Sequence, residues 1–273
     1  MRMMLDAHPE MASPPETGFL PRAAHIHLPG MRRQRLFRIV TGTPRRSPTW
    51  HDFGIAKEDL QRSLATVKPF TVREGVRTFY RLYAANHGKV RFGDKTPLYA
   101  LEMPAIQRLL PEARFIHLIR DGRDVALSLR KTWFAPSQEI NHLAQYWKRI
   151  VTRAREDGNK VNHYLEVRFE DLVTNPEKVL SRACAFLDLP YDPAMLLYWK
   201  GAPERLKEHK ARQRRDGTVL VSQDQRFQQQ RLTTKPPQAE RVGIWVQEMT
   251  PEEKQAFADE AGDLLRVLGY DFR

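Results

Sequence analysis

The stretch Ala113–Arg130 constrains this chain more than any other. Phe115-Ile116-His117-Leu118-Ile119 is a short, mostly apolar run with β-branched members, long enough for a strand and too short for a helix. A polar turn follows, where Gly122 relaxes the backbone and Asp121 or Asp124 can cap a helix. Val125, Leu127 and Leu129 then open that helix. Strand, turn and helix make half of a βαβ unit, and open parallel sheets bind ligands outside the carboxyl ends of their strands. Arg120 stands at that end. Ser128, eight residues on, falls about one turn into the helix, where its hydroxyl can face the same crevice. An arginine fork and a hydroxyl near helix amides suit a phosphate. The ordinary alternative is an Arg120–Asp124 pair with a solvated Ser128, and spacing alone does not choose between the two.

Charge narrows the class of partner. The 273 residues carry 45 Lys+Arg against 33 Asp+Glu, a net charge of +12 that favours anionic ligands. The basic residues are spread along the chain, with short clusters only at Arg32–Arg35 and Arg212–Arg215. No zinc spacing, basic heptad or RNA-binding aromatic motif accompanies them. That pattern argues for a polyphosphate ligand and against nucleic acid. At 41% hydrophobic residues the chain can build a real core, yet no apolar run reaches membrane-spanning length. Met1-Arg2-Met3-Met4-Leu5-Asp6 lacks the apolar stretch of a signal peptide. The one cysteine, Cys184, excludes an intrachain disulfide and shares a helical apolar pattern with Val179, Leu180, Ala183 and Leu187. It is expected as a small core residue, and a cytoplasmic compartment fits.

Residues 1–9 read as the back half of a helix stopped by Pro9, followed by a rigid loop, Ser13-Pro14-Pro15-Glu16-Thr17, that presents one carboxylate. Leu36–Val40 is strand-like. Thr71–Gly88 is a helix with Val72, Val76, Phe79 and Tyr83 on its apolar face. Val90-Arg91-Phe92 is a short strand, and Gly93-Asp94-Lys95-Thr96-Pro97 brings Lys95 to the ligand edge of a sheet. Two short helices split at Pro104 lead into Phe115–Ile119. Ser137 is expected to cap a long helix that ends at Gly158; Tyr164–Phe169 is the next strand, and Asn175-Pro176 opens another helix. From Lys200 to Glu240 apolar periodicity fails, which predicts a long, mobile, functional loop. Thr250-Pro251-Glu252-Glu253 is a capping box with Pro at N1, opening a final helix that buries Phe257, Ala261, Leu264, Leu265 and Leu268.

The Arg120…Ser128 segment closely resembles the 3′-phosphate-binding segment of sulfotransferases that use 3′-phosphoadenosine 5′-phosphosulfate (PAPS). The opening Leu5-Asp6-Ala7-His8-Pro9…Pro15-Glu16-Thr17 and the Gly93–Pro97 loop resemble the same family, nearest in motif to its tyrosylprotein branch and bacterial relatives. The likeness spans residues 1–270. It implies one α/β domain over 1–273, with a central parallel sheet flanked by helices, of the P-loop nucleoside-kinase-like type. It also implies transfer of a sulfuryl group from PAPS, the nucleotide donor, to a hydroxyl or amine of a small-molecule or peptide acceptor, with no metal. Under it Arg120 and Ser128 hold the 3′-phosphate. Phe169, in a Phe-Glu-Asp-Leu step like the family's Tyr-Glu-Asp-Leu, lies near the adenine. Lys235, Arg241 and Gly243, the last two in Arg-Val-Gly-Ile-Trp, complete the donor site. Lys95 is the catalytic lysine and Glu16 the base, because Pro97 stands where the phenol branch carries its histidine.

In that family the opening helix directly follows an apolar strand and a loop reading like Pro-Arg-Ser-Gly-Thr-Thr. The chain is therefore expected to begin just after its 5′-phosphosulfate-binding loop, and to be impaired as given. Gly42-Thr43-Pro44-Arg45-Arg46-Ser47-Pro48-Thr49 echoes the motif superficially. Pro48, however, stands where a glycine should let amides close on a phosphate, and no apolar helix follows. The alternative reading is a non-catalytic, sulfotransferase-like anion- or nucleotide-binding protein. An ATP-dependent kinase of the same fold is disfavoured, since no Gly-Lys-Ser/Thr step is present. The acceptor's identity and the oligomeric state are not written in the sequence.

Overall fold

Parallel strand pairs joined through helices are the frame of this chain, as the sequence predicts. The computed structural model describes residues 1–27 and 29–271. They divide into two compact units, Met1–Ala113 with Pro190–Pro236, and Arg114–Leu189 with Pro237–Arg273.

In the first unit β1 (Met11–Ala12) runs parallel to β2 (Arg91–Phe92), with Met11 opposite Arg91. The crossover between them contains the 15-residue helix Val72–Asn86, capped by Thr71, whose hydroxyl accepts from Glu74 N. Its face of Val76, Phe79, Tyr80 and Tyr83 is buried. Phe79 sits edge-on to Phe19 at 5.1 Å and to Phe53 at 5.2 Å between ring centroids, a favoured aromatic geometry. The opening helix, Arg2–Asp6, buries Met3 and Met4. Asp6 binds Arg205 through two oxygens at 2.7 and 3.1 Å and accepts Ser13 N at 2.8 Å. Burial alone would raise the Asp6 carboxyl; the Arg205 fork outweighs it and holds the group below the usual carboxylate range.

Two sequence expectations fail in this unit. Leu36–Val40 is not a strand but part of the helix Arg32–Thr41, because only Leu36 and Val40 are buried, at the four-residue spacing of one helix face. The Lys200–Glu240 stretch, expected as loop, carries the end of the helix Tyr198–Leu206, an antiparallel pair β5 (Arg212–Gln213) and β6 (Val219–Val221), and the helix Gln223–Gln230. Gln223–Gln230 buries no residue, so it leaves no apolar periodicity to read; its Ser222 capping box holds it instead.

The second unit pairs β3 (Phe115–Ile119) with β4 (Tyr164–Arg168) in parallel, Phe115 opposite Tyr164 through Ile119 opposite Arg168. Between them run the helices Gly122–Arg130 and Ile140–Gly158, and the closing helix Pro251–Val267 packs on the latter. Leu127, Leu143, Ala144, Trp147, Phe257, Ala261 and Leu265 form the shared core. Asp121 is the N-cap of Gly122–Arg130, and the Thr250 capping box is formed. Ser137 does not cap the long helix. Glu139 holds that position without a side-chain bond, while Ser137 Oγ accepts Glu139 N at 3.0 Å. Phe169, read as the last strand residue, instead opens the helix Phe169–Thr174. Cys184 is buried, as its helical position predicts.

Gly122 is required by contact rather than by turn geometry. A Cβ there would stand 2.5 Å from Trp147 Cδ2 and 2.7 Å from Phe257 Cζ. Gly122→Ala should therefore destabilise the second unit by about 1–3 kcal/mol, lowering its melting temperature by several degrees; an unchanged transition would show that the two rings shift freely. A second expectation concerns His209, which is 4% exposed. Burial, then the Arg226 guanidinium 2.8 Å from Nδ1, lowers its pKa to about 3. The folded state keeps this ring neutral while the unfolded state protonates below about 6.5, so its contribution is present above pH 6.5 and fades as pH falls toward 3. His209→Gln should flatten the fall of stability from pH 7 to 4 measured by denaturant titration. Parallel profiles for both proteins would contradict this.

Candidate functional site

Because β1 and β2 are parallel, the segments that leave their carboxyl ends emerge on one edge, and Gly93 N donates to Ala12 O at 2.9 Å across that edge. Lys95 Nζ there donates to Glu16 Oε1 in an ion pair. The two proposed catalytic groups are thus brought together, each about half exposed. An ion pair this open is worth about 0–1 kcal/mol, so an incoming molecule can part it at little cost.

The positioning of that pair rests on residues the sequence reading did not single out. Asp94 accepts from Thr17 Oγ1 and Tyr80 OH on one oxygen, and from Thr96 Oγ1 at 2.8 Å on the other. Thr17 N donates to Thr96 Oγ1 at 3.2 Å, and Thr17 Oγ1 lies 2.7 Å from Tyr99 OH. Burial lifts the Asp94 carboxyl above the usual range, opposed by the three hydroxyl donors. The network fixes the residues beside Glu16 and Lys95 while leaving both charged heads in solvent. Its signal in the sequence was adjacency alone: Thr17 follows Glu16, and Asp94 precedes Lys95.

In the second unit the carboxyl end of β3 gathers four of the six proposed donor-site residues. Asp124 has no exposed surface. It accepts from Arg120 Nη2 at 3.1 Å, Gly243 N at 2.9 Å and Trp245 N at 3.0 Å. Arg120 Nη2 also donates to Arg241 O at 2.7 Å, and its guanidinium carbon stands 4.5 Å from the centroid of the Phe169 ring. Gly243 takes a left-handed φ of 74°, which glycine adopts without strain. Arg120, Phe169, Arg241 and Gly243 are therefore one cluster. Alongside it, Arg123 binds Asp121 through two nitrogens and stacks on Trp245 at 3.5 Å.

Ser128 and Lys235 stand apart from this cluster. Ser128 is exposed on its helix and its hydroxyl hydrogen-bonds to no described residue, while Arg120 pairs with Asp124, so the ordinary pairing is the one formed. Lys235 belongs to the other unit; its side chain is exposed, and its carbonyl accepts from Tyr198 OH at 2.8 Å. The Gly42–Thr49 segment follows a helix rather than a strand, which removes its likeness to a phosphate loop. Among the described residues no group of His, Cys, Asp and Glu could hold a metal, and no helix is long and apolar enough to cross a membrane.

The chain belongs to the sulfotransferase family, whose model matches residues 1–193. It is 26% identical over 280 residues to a protein-tyrosine sulfotransferase of Drosophila melanogaster, covering 99% of this chain and 49% of that protein. It is 30% identical over 203 residues to a putative protein-tyrosine sulfotransferase of Caenorhabditis elegans, covering 72% of this chain and 68% of that one. The chain thus spans about half the length of the Drosophila relative. In fold it is similar to the sulfotransferase domain of the Synechococcus PCC 7002 olefin synthase, with a TM-score of 0.59 at 22% identity over 99% of this chain and 89% of that domain.

Proposed function

We propose that this chain transfers a sulfuryl group from PAPS to a hydroxyl or amine of a small-molecule or peptide acceptor, in the cytoplasm and without a metal. The observation that carries this reading, beside the family, is the Glu16–Lys95 pair at the carboxyl ends of two parallel strands. Glu16 offers a carboxylate that can take a proton, Lys95 offers a cation that can counter growing negative charge, and both heads are about half exposed. PAPS supplies the group to be moved. Glu16 takes the acceptor's proton, and Lys95 neutralises charge where the bond to sulfur breaks.

The residues near Arg120 fit an anionic nucleotide. Arg120 Nε is buried with no acceptor, a donor in want of an oxygen. Arg120, Arg241 and Gly243 are assigned to the donor's phosphate end and Phe169 to its adenine; Ser128 and Lys235 complete the proposed set. The cationic side chains do the work a metal does in other phosphate sites. The Arg120–Asp124 pair also favours a second reading, a non-catalytic anion- or nucleotide-binding protein in which Arg120 only braces the fold.

Two experiments separate these readings. Glu16→Gln should lower the single-turnover transfer rate at saturating donor by roughly 10²–10⁴-fold and leave donor affinity nearly intact. Lys95→Ala should lower it comparably and loosen the donor modestly. Near-wild-type rates for Glu16→Gln would remove it as the base and turn attention to His25 and His27. Arg120→Ala should weaken adenosine 3′,5′-bisphosphate by roughly ten- to a hundredfold, the worth of one charge-assisted bond, and adenosine 5′-phosphate far less. Equal weakening of both ligands would make Arg120 structural.

A further inference from the structure

A cavity of about 600 Å³ in the first unit uses none of the residues described above as catalytic or donor-binding. Three chain segments meet at it. Arg38 comes from the last turn of the helix Arg32–Thr41, Lys57 from the first position of the helix Lys57–Thr66, and Arg215 from the turn between β5 and β6. His51 adds an imidazole, and Pro48 with the exposed edge of Trp50, a ring otherwise buried against Phe53 and Phe79, gives a small apolar surface.

The charge around this cavity is of one sign. Arg38, Lys57 and Arg215 have no hydrogen-bond or ion-pair partner among the described residues, and no carboxylate lines the space. Of the nearby acids, Asp52 binds Arg226 at 2.7 Å and Lys210 N at 3.0 Å and lies 3.8 Å from His51 Nε2, Asp59 pairs with Arg62, and Glu58 follows Lys57 in the first turn of its helix. The helix that begins at Lys57 is entered through Ala56, which offers no side-chain acceptor, so its positive end adds to the same field. Cations that share a cavity without a counter-charge repel one another, and a bound oxyanion relieves that. The volume matches a small organic ligand more than a lone ion.

We propose that this cavity binds an organic phosphate or sulfate ester, its oxyanion held by Arg38, Lys57 and Arg215 and its organic part laid against Trp50 and Pro48. The site does not depend on the sulfuryl-transfer reading.

The test is nuclear magnetic resonance titration and calorimetry of the full chain with phenyl phosphate and with inorganic phosphate, repeated on the double variant Arg38→Gln/Arg215→Gln. Both substituted residues are exposed, so the melting temperature should hold. The expected result is that phenyl phosphate shifts the Trp50 indole signal and binds about tenfold more tightly than inorganic phosphate. The double variant should then lose about tenfold or more in affinity. Equal affinity for both probes, with the same loss in the double variant, would support the site with a free oxyanion as its ligand. No binding of either probe, or binding that the double variant leaves intact, would overturn it.

Discussion

One carboxylate organises the second unit. Asp124 is fully buried, and an ionised acid in that position is tolerable only when every oxygen is met. Arg120 and the amides of Gly243 and Trp245 meet them. The result ties the end of β3 to a segment about 120 residues further along the chain, and it holds the Arg120 guanidinium against Phe169. Removing one partner would leave a buried charge uncompensated, a loss of about 3–5 kcal/mol. A site built on such a hub is stiff by construction, which suits a reaction whose rate comes from placement and fixed charge.

The first unit repeats this design with a different acid. Asp94 draws in hydroxyls from Thr17, Tyr80 and Thr96, so the segment after β1 and the segment after β2 are stitched together. Its burial is offset by neutral donors rather than by a guanidinium, and burial pushes its carboxyl up. In both units the buried acid is spent on protein groups. It holds the backbone from which Glu16, Lys95 or Arg120 projects.

Much of this was legible in the sequence because it is written locally. The five-residue run Phe115–Ile119, the helix that starts at Thr71, the Thr250 cap, and Pro104 at the start of Met103–Leu109 are each set within a few residues of where they are read. Leu36–Val40 misled because a short apolar run has no period of its own; only Leu36 and Val40, four residues apart, are buried, and that spacing is one face of a helix. Gln223–Gln230 was invisible because an exposed helix has no apolar stripe. Among the site residues, the Glu16–Lys95 meeting was half legible: the sequence marks the strand end at Phe92, while the two-residue strand Met11–Ala12 is too short to read. The Arg120–Asp124 pair was legible at its i,i+4 spacing, but the burial of Asp94 and Asp124 was not, because it is set by segments far away in the chain.

The central claim is that the cluster around Arg120 is half of a nucleotide site rather than a brace. The most direct measurement follows the Arg120 side-chain Nε–H resonance, the buried donor without an acceptor, during titration with adenosine 3′,5′-bisphosphate and, separately, with adenosine 5′-phosphate. A new hydrogen bond to the 3′-phosphate should move that signal downfield with the first ligand and leave it in place with the second, while the Gly243 amide responds to both. An Arg120 signal that stays fixed when the bisphosphate saturates the protein would contradict the account.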